Sequence, residues 1–206
     1  MPFPDFKLRH GQPPDCCEYS FQQIIAHCTN LIAQIEAKFH RAYGLEKCHS
    51  SAKKARTALL DHFDFPTHEE GGKVLARGIY VLFDGNQASR ENAFYVGVAN
   101  DVPKRLTNHL SATSHEQSSL LYLLMKRHLP DEALKTTDPK TGKPRTKKRG
   151  DLFTEYKKKC AEIRGHLKKH CSVVIHPVPD ILTLHTLEAL LSLEFKTGPW
   201  NSFKPH

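Results

Sequence analysis

The sequence predicts a mixed α/β fold, α+β in kind. Three observations carry that expectation: an apolar stripe at helical spacing near the N-terminus, two β-rich runs separated by turn residues in the middle, and helical and strand patterns following them. Phe21, Ile24, Ile25, Cys28, Leu31, Ile32, Ile35 and Phe39 recur on one helix face. Ser20 can cap the start of that helix and Gly44 can stop it, so the helix is expected between them. A second helix is expected from about residue 51, carrying Ala55, Ala58, Leu59, His62 and Phe63 to a break at Pro66. Residues 1–70 thus read as an N-terminal helical appendage whose stripe docks on the downstream domain or pairs with a second subunit.

Beyond Gly71-Gly72, residues 77–83 are rich in β-branched and aromatic side chains and read as a strand, with residues 94–99 returning beside it. The polar connection over 84–93 is long for a tight hairpin, so a mobile surface loop is expected there. Asp101 caps a helix through Arg105 and His109, with Pro103 tolerated in its first turn. Residues 118–128 form another helix, buried because Leu120, Leu121, Leu123, Leu124 and Met125 are nearly continuous. Residues 130–149 change character, with Pro130, Asp138-Pro139, Gly142 and Pro144 set among Lys140, Lys143, Arg145, Lys147, Lys148 and Arg149, which reads as a basic, flexible loop. A helix over 152–169, a third strand over 172–178 and a final helix over 183–195 follow. The second domain is accordingly 71–206, with a basic insert near 130–150.

The 206 residues, 39% of them apolar, suffice for one compact domain with an appendage. Thirty Lys and Arg against 22 Asp and Glu give a net charge of +8, which attracts polyanions and puts nucleic acid first among partners. Residues 1–15 are broken by Pro2, Pro4, Pro13 and Pro14 and hold no apolar run of signal-peptide or membrane-spanning length, so a cytoplasmic location and no membrane partner are expected. Six cysteines, at 16, 17, 28, 48, 160 and 171, include no Cys-x-x-Cys pair and read as reduced thiols, some of them buried. His166, His170 and Cys171 are close enough in sequence to meet a metal. Without a fourth ligand at usable spacing, that stretch reads as a solvated helix end.

The residues with chemical potential lie elsewhere. Neighbouring antiparallel strands bring Tyr80 and Tyr95 within reach of each other on one face. Arg105 and His109, four apart on a helix, share a face that can turn toward those phenols. Glu188 sits in the final helix among Ala189, Leu190, Leu191 and Leu193, and a carboxylate in such company suits a hard divalent cation. Taken singly, each has an ordinary explanation. Strand tyrosines pack, Gly97 marks a bulge or close approach, and Arg105 beside Lys104 belongs to a solvated face. His109 is a helix-surface or core histidine, Glu188 serves the positive end of its helix, and Asn201 beside Trp200 is a turn residue.

Their conjunction is more specific. Gly78-Ile79-Tyr80, Tyr95-Val96-Gly97, Arg105 with His109, Glu188 and Asn201 occur in the order of the GIY-YIG nuclease superfamily, which this chain resembles, with valine for isoleucine in the second motif. The resemblance covers about residues 77–206 and includes the tail, where Asn201, Phe203 and His206 are similar to the endings of small stand-alone bacterial-type members. The basic insert and the N-terminal helices are not core features of that family. The resemblance implies an α/β sandwich with a central three-stranded, mostly antiparallel sheet flanked by helices. It implies a metal-dependent endonuclease that hydrolyses DNA phosphodiester bonds with one Mg2+ or Mn2+.

The same resemblance implies roles for the residues. Glu188 would hold the metal, and Tyr80, acidified by nearby positive charge, would accept the proton of the attacking water. Arg105 would stabilise the phosphate, Tyr95 would position the network, and Asn201 would buttress it. An ordinary phenol pKa of about 10 leaves the general base open between Tyr80 and His109. Lys104, Lys140, Lys143, Arg145, Lys147, Lys148 and Arg149 are the candidate contacts to the nucleic-acid backbone. Two other classes fit the same chain: a catalytically silent nucleic-acid-binding module on a nuclease fold, and a structural or partner protein that forms a homodimer through its N-terminal helices.

Overall fold

The computed structural model describes residues 20–48, 52–111 and 118–198. Helix α1 (Phe21–Glu36) opens on a capping box in which Ser20 and Gln23 satisfy each other's backbone N–H groups. It ends well before Gly44. A 3-10 turn at Phe39–Arg41 follows, and Gly44 lies instead in the short strand β1 (Tyr43–Gly44). Helix α2 (Ala52–Phe63) comes next. Strands β2 (His68–Glu70) and β3 (Lys73–Leu75) then form a small hairpin on Gly71-Gly72, both at positive φ as a tight hairpin turn requires.

The central pair is β4 (Gly78–Asp84) and β5 (Ala93–Ala99). Helices α3 (Val102–Ser111) and α4 (Ser119–His128) follow, then strands β6 (Lys135–Thr137) and β7 (Pro144–Thr146). Helices α5 (Arg149–Glu155) and α6 (Lys157–His170) lead into β8 (Cys171–Pro177) and the last helix, α7 (Ile181–Glu194). The single helix expected over 152–169 is therefore two, broken at Tyr156 where φ is −110° and ψ is 39°.

The protein is a mixed α/β fold whose strand pairs are antiparallel. The main sheet has four strands in the order β1-β8-β4-β5, one more than expected, because the N-terminal segment adds the two-residue β1 at the edge beside β8. β4 is central and covered on both faces, which is why Ile79-Tyr80-Val81-Leu82-Phe83 is an unbroken buried run rather than an alternating one. On one side the Phe39 ring meets those of Phe83 and Phe195 at 5.0 and 5.9 Å, edge to face. On the other Tyr80 meets α3.

The N-terminal helices share this core: Cys28, Leu31 and Ile35 of α1 and Leu59 and Phe63 of α2 belong to the same buried cluster as the sheet. α1 packs along α7, and Arg90 ties their ends by pairing with Glu36 and, at 2.6 Å, with Glu194. Arg56 of α2 donates through Nη1 to both carboxylate oxygens of Asp101 at 2.5 and 2.6 Å. Asp101 in turn accepts from the Lys104 N–H at 3.3 Å at the start of α3. Helix α2 thus helps to fix the helix that carries Arg105 and His109.

Two segments expected to be mobile carry local hydrogen-bonded structure. In the connection after β4, the Asn92 amide donates to the carbonyls of Asp84 and Gln87 at 2.8 and 2.5 Å and accepts from the Ser89 N–H at 2.8 Å. The basic insert is a hairpin of β6 and β7, turned by Asp138, whose Oδ1 accepts from the N–H groups of Lys140 and Thr141 at 2.8 and 3.1 Å, and by Gly142 at φ 65°. Both corrections have one cause: short polar side chains in these loops bond to the local backbone. Cys28, Cys48, Cys160 and Cys171 are free and buried, while Cys16 and Cys17 lie outside the described residues. Among the described residues, no helix is long and apolar enough to cross a membrane.

Candidate active site

The register of β4 and β5 sets Tyr80 opposite Gly97 and Leu82 opposite Tyr95, so the two tyrosines are diagonal neighbours with ring centroids 6.0 Å apart. Glycine at 97 makes that possible. A Cβ there would collide with Cζ and Oη of Tyr80 and lie 2.8 Å from Cε1 of Tyr95. Gly78 is constrained from the other side, where a Cβ would strike the His176 carbonyl on β8 and sit 2.8 Å from Phe65 Cζ. Both glycines flanking the tyrosines are sites of close approach.

From Tyr80 a buried hydrogen-bonded chain runs into the helices. Its hydroxyl is 2.7 Å from Nε2 of His109 on α3, and Nδ1 of His109 is 2.7 Å from Oγ of Ser118. Ser118 is the N-cap of α4, and its Oγ accepts from the Leu121 N–H at 3.2 Å. The Tyr95 ring stands edge-on to His109, centroids 6.1 Å apart. Arg105, one helical turn before His109, donates through Nη2 to Oγ of Ser119 at 2.8 Å. Tyr80 and His109 are each 1% exposed, whereas Arg105 and Glu188 are half-buried, so the cluster has a dry inner layer and an outer layer that meets solvent.

Burial dominates the electrostatics. It raises the Tyr80 phenol well above 10, with Tyr95 adding to the rise and Arg105 only partly opposing it. The expectation of an acidified Tyr80 is therefore reversed: the guanidinium is close, but desolvation of the phenolate outweighs it. Burial and then the Arg105 charge lower His109 from 6.5 to about 3, so the imidazole is neutral at pH 7. Tyr95 is also raised by burial, with Arg105 and Ser119 opposing and the Glu188 carboxylate adding to the rise. The Glu188 carboxylate is thus near enough to Tyr95 to act on its charge.

Glu188 itself is raised by burial, an effect opposed by His185, whose Nδ1 is 3.7 Å from Oε2. It lies mid-helix and does not serve the helix N-terminus. That position belongs to Asp180, whose carboxylate accepts from the Thr183 N–H at 2.5 Å. Asn201 lies outside the described residues. Four of the six residues named from the sequence, Tyr80, Tyr95, Arg105 and His109, thus form one packed cluster, with Glu188 in electrostatic contact through Tyr95. Ser118 and Ser119 were missed. Their only sequence signal is their place at the start of α4, and nothing local says that the cap also faces His109 and Arg105.

The cationic residues divide. Lys104, Lys140, Lys143 and Lys148 are exposed and Arg145 is half-buried, while the Arg149 side chain lies outside the description. Lys147 is committed elsewhere. It pairs with Glu155 at 2.6 Å, lies 5.3 Å from the centroid of the Tyr156 ring and is only 14% exposed. A possible metal-ligand group also occurs away from Glu188, at Asp84, His166 and Cys171. Compared with family models, curated proteins and solved structures, the chain finds no match.

Proposed function

We propose that this protein is a metal-dependent endonuclease of the GIY-YIG type that hydrolyses DNA phosphodiester bonds. The observation that carries this reading is the convergence of Tyr80, Tyr95, Arg105 and His109, separated in sequence, on one cluster with Glu188 beside it. On this reading β4, β5 and β8 are the three-stranded family core, and β1 is an addition from the N-terminal segment.

Glu188 suits a hard divalent cation because its carboxylate is half-buried and its anionic form is disfavoured by burial, a cost that an adjacent cation offsets. Mg2+ or Mn2+ held there would neutralise charge building on the phosphoryl and leaving oxygens. Arg105 presents a fork of donors to a phosphate, and a bound phosphodiester also neutralises the positive charge that helps depress His109. With Nδ1–H donating to Ser118, Nε2 of His109 accepts the Tyr80 hydroxyl proton while Tyr80 takes a proton from the attacking water. The water oxygen bonds to phosphorus, the scissile P–O bond breaks, and the leaving oxygen takes its proton from solvent. The general base is then the Tyr80–His109 pair rather than either residue alone. The water is one admitted with substrate, since Tyr80 is closed to bulk solvent.

The test is cleavage of supercoiled plasmid and of single-stranded DNA with Mg2+, Mn2+ or EDTA, beside Glu188→Ala. Metal-dependent cutting that disappears in the variant is the expected result. Intact DNA with binding retained would leave the binding-module reading.

A further inference from the structure

We propose that Asp84, His166 and Cys171 form a second cation site, for a borderline-soft divalent ion of the Zn2+ class, separate from the Glu188 centre. Their ligand atoms, a carboxylate oxygen, an imidazole nitrogen and a sulfur, all lie within 4.8 Å of one another, with Nε2 of His166 3.8 Å from Oδ1 of Asp84. A tetrahedral ion with bonds of about 2.0–2.3 Å needs only a small inward movement from that spacing. One oxygen, one nitrogen and one sulfur donor favour a Zn2+-like ion over Mg2+ or Ca2+, which take oxygen ligands.

The backbone brings the three together by tertiary pairing. Asp84 is the register partner of Cys171 at one end of the β4–β8 ladder, and α6, which carries His166, runs directly into Cys171. The strand ends are also locked around the site. The Gly85 N–H donates to the His170 carbonyl at 2.7 Å, and the Ser172 hydroxyl donates to the Gly85 carbonyl at 2.7 Å. Hydrogen bonds from residues adjoining the ligands hold their backbone in place before any ion arrives.

The three residues line a cavity of about 410 Å³ that also presents Glu162, His128 and Lys159. Glu162 precedes His166 by four residues on the same helix face and could supply a further oxygen donor on leaving Lys159, with which it pairs at 3.2 Å. Three fixed donors beside an open cavity leave room for a water or a small anionic ligand at the ion. Binding releases the Cys171 thiol proton to solvent and changes no oxidation state.

Co2+ titrated into the full chain is the probe, because a thiolate ligand gives a charge-transfer band that oxygen and nitrogen ligands do not. A saturable band displaced by Zn2+ is expected, abolished in Cys171→Ser and present in Glu188→Ala. His166→Ala and Asp84→Asn, both at exposed side chains, should keep the wild-type circular dichroism and weaken Co2+ binding by at least about tenfold. Absence of a thiolate band in the native protein overturns the proposal. So does a band of undiminished affinity in both His166→Ala and Asp84→Asn, which would place the ion on other cysteines. Neither result depends on whether the protein cuts DNA.

Discussion

Tyr80 and Asp84 stand four residues apart on β4 in opposite physical settings. Around Tyr80 the groups are buried and paired in a chain to the Ser118 cap, and desolvation holds both Tyr80 and His109 in their neutral forms. Around Asp84 two of three polar groups face solvent at the mouth of a cavity, and only the sulfur is buried. The difference teaches that one strand can serve two kinds of chemistry. Its middle is dry, where the proposed proton transfer would take place, and its end is exposed, where the proposed ion would enter.

The sharpest way to separate the two regions is Arg105→Ala. On the proposed endonuclease reading, removing the charge that would face the phosphate should lower cleavage about 100- to 1,000-fold. Arg105→Lys should restore only part of it, since an ammonium lacks the planar fork. The cobalt–thiolate band of Arg105→Ala should match the native protein. Loss of cleavage and band together would mean that the two regions act as one.

A second contrast lies in pH. His109 titrates near 6.5 when unfolded and is lowered to about 3 in the fold, and His176 is lowered to about 4 by burial and then by Lys38. In that window the unfolded chain binds protons that the folded chain does not. Stability contributed by the two neutral imidazoles is therefore fully present above about pH 6.5 and lost as pH falls toward 3 to 4. Urea midpoints measured between about pH 7 and about pH 4 should fall steadily, and His109→Gln should flatten the curve. An unchanged slope in that variant would remove His109 from the dry region.

The smallest effect concerns stability at neutral pH. Ser118→Ala removes a helix cap and the partner of a buried imidazole, and should cost about 1–2 kcal/mol in denaturant unfolding. His166→Ala, at an exposed position, should stay within about 0.5 kcal/mol. Equal costs would contradict the division into a packed region and an open one.

Much of the frame could be read along the chain. Ser20 and Asp101 cap the helices expected of them, and the two runs around Tyr80 and Tyr95 are the central strands. The spacing of Arg105 and His109 put both near the phenols, as found. Other features depend on partners far away in sequence. Arg56 reaches Asp101, Tyr43–Gly44 joins β8, and Asp84 faces Cys171, and no window of neighbouring residues contains those pairs. The sequence sets His166, His170 and Cys171 close together and they read as a solvated helix end, whereas the group that could hold a metal takes Asp84 from the adjacent strand in place of His170.

The sequence by itself determined the types of the main helices and of the central strands, the order of the candidate residues and the basic charge, because periodicity, capping and turn chemistry act over a few residues. The tertiary structure alone decided register, burial and the sign of the Tyr80 shift. Desolvation is a property of everything packed around a group, and here it outweighs the single nearby cation that the sequence made visible.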